Sequence, residues 1–449
     1  MLKSYARQFL AVIFLLLVGC VQPPVSQPFK PTDNSAFVRV SGNQFTIEGK
    51  PYRYVGVNMW YGAYLGSSAA DIGDRMRLVK ELDFLSAMGV TNLRILGASE
   101  KSSLRDAVNP AINNRGEIER EDILLGLDFL LVEMRKRDMR AVIYLNNFWE
   151  WSGGMATYLS WVNNGEIVDP SDAKTPWPAF PIFTAQFYRE PKATALFERY
   201  IHAITSRVNS LSGVAYRDDP TIMAWQLANE PRPGHKSHDA AYLPDYYQWI
   251  KKTASLIKSL APNQLVSLGS EGVMGCLESP QCVLDAHKGT GIDYMTFHLW
   301  MKNWGWYDAT KPEETFESAK KTAGNYIKQH IAFADKLGVP TVLEEFGLER
   351  DQGQFSPQAP TTYRDDFYAF VYGKIEQSCA EGGPLVGSNI WAWGGFGEAQ
   401  HADYRWRAGD GQFVGDPPQE AQGLNSVYAN DKTTITIMAK HAKIIREHQ

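Results

Sequence analysis

Short apolar runs alternate with longer amphipathic stretches along most of the chain. Eight runs read as buried strands: residues 54–58, 90–96, 141–145, 221–228, 265–268, 292–297, 340–343 and 385–390. They are rich in Val, Ile and Leu, lack polar alternation and are bounded by turn residues. A strand covered on both faces has that pattern. Between them, a 3.6-residue spacing predicts helices over 75–88, 119–138, 191–211, 246–260, 319–337, 363–379 and 432–447. Gly89 marks the end of the first helix. Strands and helices in this succession point to an α/β fold, a single (β/α)8 barrel with parallel strands. Ahead of it, residues 38–54 alternate polar and apolar positions around two turn signals, Gly42-Asn43 and Gly49-Lys50-Pro51. They predict a β-hairpin leading into the first barrel strand. Residues 152–190, dense in Trp, Tyr, Phe and Pro, read as one long loop without secondary structure. A loop of that length inside a compact domain usually carries function.

The ends of two strands carry the candidate chemistry. The fourth run stops at Asn229-Glu230-Pro231, where proline cannot continue a ladder. The seventh is closed by Glu345, in Glu344-Glu345-Phe346-Gly347. The C-terminal lip of a barrel strand is where barrel enzymes place reacting groups. Two carboxylates on two such lips suit glycoside hydrolysis, which needs an acid at the leaving oxygen and a base or nucleophile on the other side. The acid must stay protonated, which burial or a nearby charge favours. The nucleophile must stay ionised, which a nearby cation favours. Arg94, near the end of the second run, is the candidate cation; on its own it reads equally as half of a structural ion pair. Pleat alternation predicts that Glu344 points away from Glu345. Glu271, after the fifth run, reads as an exposed loop acid.

Asn229-Glu230-Pro231 and Glu345-Phe346-Gly347 resemble the acid/base and nucleophile motifs of glycoside hydrolase family 5. The phrase from Tyr216 to Pro231, YRDDPTIMAWQLANEP, is similar to the β-mannanase branch of that family. The resemblance runs from about residue 37 to the end. It implies that Glu230 is the acid/base and Glu345 the nucleophile of a retaining reaction, with carboxyl groups roughly 5–5.5 Å apart and no metal or cofactor. It also implies that Arg94 steadies the nucleophile, that Asn229 meets the sugar 2-hydroxyl, that His298 belongs to the site and that Trp391 is the platform under the reacting ring. Asn58, Trp149 and Trp300 are further candidate binding residues, with Trp60 and Trp151 as possible subsite walls and Trp393 a weaker candidate. One departure stands out: the family usually has His-x-Tyr where this chain has His298-Leu299-Trp300, and indole cannot replace a phenolic oxygen. Asn146-Asn147 stand where many family members carry His, and Asn there fits the mannanase branch.

Four loops exceed the simple mannanase pattern: residues 165–181, 231–244 with His235 and His238, 274–287, and 396–427. Stiff aromatic loops can wall off a cleft. The layout resembles the exo-acting β-mannosidases of the family, which implies release of mannose from the non-reducing ends of manno-oligosaccharides. An endo-β-1,4-mannanase is the alternative. A non-catalytic sugar-binding lipoprotein is disfavoured because both glutamates are present, and a cellulase because of the mannanase-like phrase.

Composition adds compartment and partners. The 449 residues carry a formal charge of −5 and no basic block, which argues against nucleic acid. Lys3 and Arg7 precede an apolar run over 9–18 that is too short to span a membrane. It ends in Leu17-Val18-Gly19-Cys20, which resembles a bacterial lipoprotein signal with Cys20 as the lipidated residue. Val21, which is not acidic, then favours the outer membrane. The expected organisation is a signal over 1–19, a tether over 20–36 and the catalytic barrel over 37–449, monomeric and membrane-bound only through its lipid. Cys276 and Cys282 are placed to close a small local loop in an oxidising compartment. Cys379 reads as a buried free thiol, and no cysteine spacing suggests zinc.

Overall fold

Eight parallel strands build the centre of the molecule: β1 (Tyr54–Asn58), β2 (Asn92–Leu96), β3 (Arg140–Tyr144), β4 (Ile222–Gln226), β5 (Leu265–Ser267), β6 (Met295–Leu299), β7 (Thr341–Phe346) and β8 (Leu385–Ile390). The computed structural model describes residues 34–236 and 240–449. The leader, Cys20, most of the tether and His238 lie outside the described residues. The strands follow one another in the order β5-β4-β3-β2-β1-β8-β7-β6. A parallel bridge between Ser267 and Tyr294 joins the two edges, so the sheet is nearly closed. Each strand is followed by a helix: α1 (Arg75–Met88), α2 (Glu121–Arg135), α3 (Pro191–Ser206), α4 (Leu243–Leu260), α5 (Pro280–His287), α6 (Pro312–Leu337), α7 (Thr362–Ala380) and α8 (Lys432–Glu447). This is the (β/α)8 barrel that the alternation predicts.

Several boundaries differ from the hydrophobic pattern for local reasons. α3 ends before residue 211 because Asn209 Oδ1 accepts from the N–H groups of Leu211 and Ser212, a side-chain turn that competes with the helix. α6 begins at Pro312, with Glu313 and Glu314 in its first turn; proline and acids both suit a helix start. α5 was not evident in the apolar pattern. It starts at Pro280, and its cap Ser279 accepts from Cys282 N–H. Cys276 and Cys282 form a disulfide there, and Cys379 is a buried free thiol. Residues 152–190 are not structureless. They fold into helices Gly154–Ser160 and Ala179–Thr184 and a 3-10 turn Ala185–Arg189. Their aromatics drive this: Tyr158 and Phe187 pack 5.7 Å apart and are both fully buried.

The N-terminal segment forms three short antiparallel strands rather than two. Phe45 projects from the middle strand against Tyr294 at 5.1 Å and belongs to one buried cluster with Val142, Met223, Val342 and Val386. An apolar plug therefore closes one end of the barrel. Above it the interior turns polar, with Asn92, Arg94, Gln226, Glu344 and Asn389 all fully buried. That polar layer supports the opposite, C-terminal mouth.

Candidate active site

A β-bulge sets the geometry of the mouth. Between β6 and β7, Phe297 pairs with Leu343 and His298 with Glu345, leaving Glu344 as the extra residue. Strict alternation would send one of the two glutamates outward. The bulge instead brings both to Arg94, which corrects the expectation for Glu344. Arg94 Nη1 contacts Glu345 Oε1, and Arg94 Nε lies 3.5 Å from Glu344 Oε2. The rest of the guanidinium is also committed. Nε donates to Gln226 at 2.9 Å, Nη1 to Asn58 at 3.0 Å and Nη2 to Asn229 at 2.7 Å. Gln226 in turn donates to Glu344 at 2.6 Å. A fully buried cation held on four sides cannot drift, so neither can the carboxylate it meets.

Glu230 approaches from the other side. Its backbone has φ +50°, unusual for a residue with a side chain, and such strain costs on the order of 1–3 kcal/mol where the surroundings impose it. Its N–H donates to Gly269 O at 2.9 Å. Gly269 has φ +82°, and a Cβ there would lie 1.9 Å from the Ala228 carbonyl, so this approach requires glycine. The turn aims the carboxyl across the mouth. Trp149 Nε1–H donates to Glu230 Oε2 at 2.5 Å, and His298 Nδ1 lies 2.5 Å from Glu230 Oε1. The same His298 nitrogen is 3.2 Å from Glu345 Oε2. One imidazole thus sits between the two carboxylates, and one donor atom from each of the three residues falls within 4.8 Å of the others.

Electrostatics follow from burial. Burial, reinforced by the positive charges of Arg94 and Arg232, holds His298 well below the ordinary imidazole range, so the ring is neutral. A neutral ring has one N–H, and the Nδ1 contacts place it between the glutamates. Burial also pushes the Glu345 carboxyl well up; Arg94 opposes this, while Glu230 and Glu344 add to it. Among the described residues, Glu230, His298 and Glu345 are the set whose geometry would admit a cation. The imidazole nitrogen is already spent on the carboxylates, and Arg94 already supplies positive charge to Glu345, so the donor set fits a metal poorly.

Glu271 is not an exposed loop acid. It is 1 % exposed and forms a two-pronged pair with Arg232 at 2.7–3.0 Å. Burial lifts its carboxyl to about 7 against the pull of Arg232. Arg232 also lies 4.7 Å over the Trp149 ring, so this pair buttresses the indole that holds Glu230. Arg232 has no signal in the sequence, because it follows β4 and meets Glu271, which follows β5, only in the folded barrel.

The pocket above these groups has a volume of about 480 Å³. Asn229, Glu230, Glu345, Trp149, Trp300 and Trp391 line it, joined by Trp151. Asn58 does not: it is fully buried beneath Glu345, donating to the Glu344 and Ile390 carbonyls. Trp60 is also fully buried, with its N–H on Gly415 O, and Trp393 is equally enclosed. Where the family has a tyrosine, Trp300 packs edge-on to Trp391 at 6.3 Å. Glu345 takes its hydrogen bond from Arg94 instead, with His298 Nδ1 3.2 Å from its other oxygen.

Opposed carboxylates beneath aromatic walls suit one chemistry: protonating an acetal oxygen from one side while the other side attacks the acetal carbon. The barrel and its mouth therefore define a glycoside hydrolase. The chain belongs to glycoside hydrolase family 5; the family model described as GH family 5 beta-mannosidase-like matches residues 35–449. The structure is similar to a crystal structure of a family 5 mannosidase from Rhizomucor miehei, with TM-score 0.84 and 32 % identity, covering 92 % of this chain and 99 % of that one. It shares its fold with the endo-1,4-beta-mannanase of the same organism, at TM-score 0.65 and 23 % identity over 92 % and 99 % of the two chains. In sequence it is 27 % identical to the putative mannan endo-1,4-beta-mannosidase 4 of Arabidopsis thaliana, over 97 % of each chain. It is 28 % identical to mannan endo-1,4-beta-mannosidase 8 of Oryza sativa subsp. japonica, over 91 % and 99 %.

Proposed function

We propose that the protein is a retaining, exo-acting β-mannosidase that removes mannose from the non-reducing ends of β-1,4-linked manno-oligosaccharides. The observation that carries this reading is the part of the pocket wall that the fourth enlarged loop builds with Gln419 and Glu420. The fourth loop reaches the sugar platform itself, with Trp391 Nε1 3.5 Å from Glu420 Oε2. A wall against the platform limits what can extend beyond the reacting sugar. Similarity to the Rhizomucor miehei mannosidase supports the same reading.

In this reading Glu230 protonates the departing glycosidic oxygen while Glu345 attacks the anomeric carbon, forming a mannosyl–enzyme ester. Water, deprotonated by Glu230, then attacks the same carbon, expelling Glu345 and releasing mannose with retained configuration. The short spacing between carboxylates supports a direct attack, since inversion needs roughly 6.5–9.5 Å to seat a water. The endo-mannanase reading is favoured by the names of the plant relatives. A time course on mannohexaose decides between them. Mannose and mannopentaose as the early products are expected; early mannobiose and mannotriose would replace this reading with the endo one.

The raised Glu345 carboxyl gives a pH expectation. The nucleophile works only as an anion. A group that holds its proton above the ordinary glutamate value is anionic above its raised pKa and loses that form as pH falls through it. The acid limb of kcat/KM for an aryl β-mannoside is therefore expected above pH 4.5, the ordinary value. A profile flat down to pH 4 would contradict the burial argument.

A further inference from the structure

Trp177 is the exposed aromatic that the catalytic argument leaves unused. Its side chain is 61 % exposed, yet it lines the same pocket as the two carboxylates. It lies nearly parallel to Trp149, with ring centroids 6.4 Å apart and planes 21° from parallel, and His235 packs edge-on to it at 5.6 Å. Large exposed apolar surface continuous with a binding pocket is rarely idle. The position gives it a side. Trp149 holds Glu230, the group that faces the leaving oxygen, and Trp177 extends that indole layer outward. Trp391, the platform for the sugar that stays, is covered by the loop carrying Glu420. Trp177 therefore stands on the leaving-group side, at the open lip.

Resting on the β-mannosidase reading above, we propose that Trp177 is the platform for the second sugar of the leaving group, so that the enzyme selects oligosaccharides of three or more β-mannosyl units. The chemistry of the ligand fits an indole. In β-mannopyranose the axial hydrogens on C1, C3 and C5 share one face, while the axial 2-hydroxyl projects from the other. One face of each ring is thus apolar and can lie flat on Trp177. Trp149, beneath it, is reached by the first leaving-group sugar. A disaccharide or an aryl mannoside ends before Trp177 and gains nothing from it.

The test is a length series. For the wild type, kcat/KM is expected to rise from mannobiose to mannotriose and then level off. Trp177→Ala should lose about tenfold on mannotriose and mannotetraose, through KM, while staying within about twofold on mannobiose and 4-nitrophenyl β-mannoside. Trp177→Phe should recover most of the loss. Equal losses on all substrates would overturn the proposal, because the effect would then pass through Trp149 to Glu230. Unchanged kinetics on mannotriose would overturn it too. Failure of the parent reading is seen separately, in the wild type: internal cleavage of mannohexaose, or no release of mannose at all, removes the exo-mannosidase before any Trp177 variant is compared.

Discussion

Glu345→Ala and Glu345→Gln are expected to lose turnover on every β-mannoside, activated or not, by roughly 10⁴-fold or more. A good leaving group cannot rescue a missing nucleophile, because the covalent step itself is gone. Folding should survive. Arg94 keeps its bonds to Gln226, Asn58 and Asn229, and Glu344 remains 3.5 Å away as a countercharge. Removal also relieves a buried carboxylate crowded by Glu230 and Glu344. Thermal midpoints within a few degrees of the wild type are therefore expected, which separates loss of chemistry from loss of structure. The rival that matters is Glu344, because the bulge brings it to the same arginine. Glu344 is fully buried and its Oε2 is held by Gln226 at 2.6 Å, whereas Glu345 lines the pocket. Labelling the wild type with a 2-deoxy-2-fluoromannosyl fluoride and sequencing the labelled peptide decides between neighbours. Label on Glu344, or any activated substrate still turned over by Glu345→Ala, would sink the assignment.

That rivalry marks where the sequence stops being legible. The helix and strand bounds at 75–88, 385–390 and 432–447 follow from local chemistry: Gly89 adopts the left-handed cap, and apolar runs end at polar ones; β4 instead stops at Gln226, short of Glu230-Pro231, with Asn229 only bridged to Asn147. A bulge has no such signature. It shows only in the pairing of β6 with β7, so Glu344 could not be placed from period-two reasoning. The run over 292–297, ending in His298, shifts in the structure to Met295–Leu299, so the strand continues through His298, whose ring meets the two carboxylates of the mouth. Glu271 was misplaced for the same reason. A lone acid after a strand looks solvated until a partner from another loop, Arg232, is known to be there. The aromatic stretch over 152–190 failed differently. Its rings are spaced for tertiary packing rather than for one amphipathic face, so its short helices owe more to burial than to pattern. What remains readable before folding is thus local, and the non-local pairs around the acid are what the structure adds.

Those pairs shape the expected behaviour of Glu230→Ala. On mannobiose and longer substrates the variant should lose about 10²–10⁴-fold, the usual worth of a positioned proton donor. On 2,4-dinitrophenyl β-mannoside the first step needs no acid, so the ester to Glu345 should still form quickly. The nucleophile keeps its hydrogen bond from Arg94 in this variant. Arg94 is untouched, and the His298 Nδ1–H, freed from Glu230, has Glu345 Oε2 within 3.2 Å. The second step needs a base to deprotonate water, so the ester should accumulate and appear as a burst of dinitrophenol followed by slow turnover. Azide needs no deprotonation. Adding it should restore steady turnover, and the product should be β-mannosyl azide, formed by a second attack on the face opposite Glu345, the one the first leaving group vacated. The configuration of that product is the sharper test. An α-azide would mean a single displacement, with Glu345 acting as a base across a seated water rather than as a nucleophile. Undiminished activity on mannobiose would remove Glu230 from the acid role altogether, leaving its strained backbone and its bonds to Trp149 and His298 without a catalytic purpose.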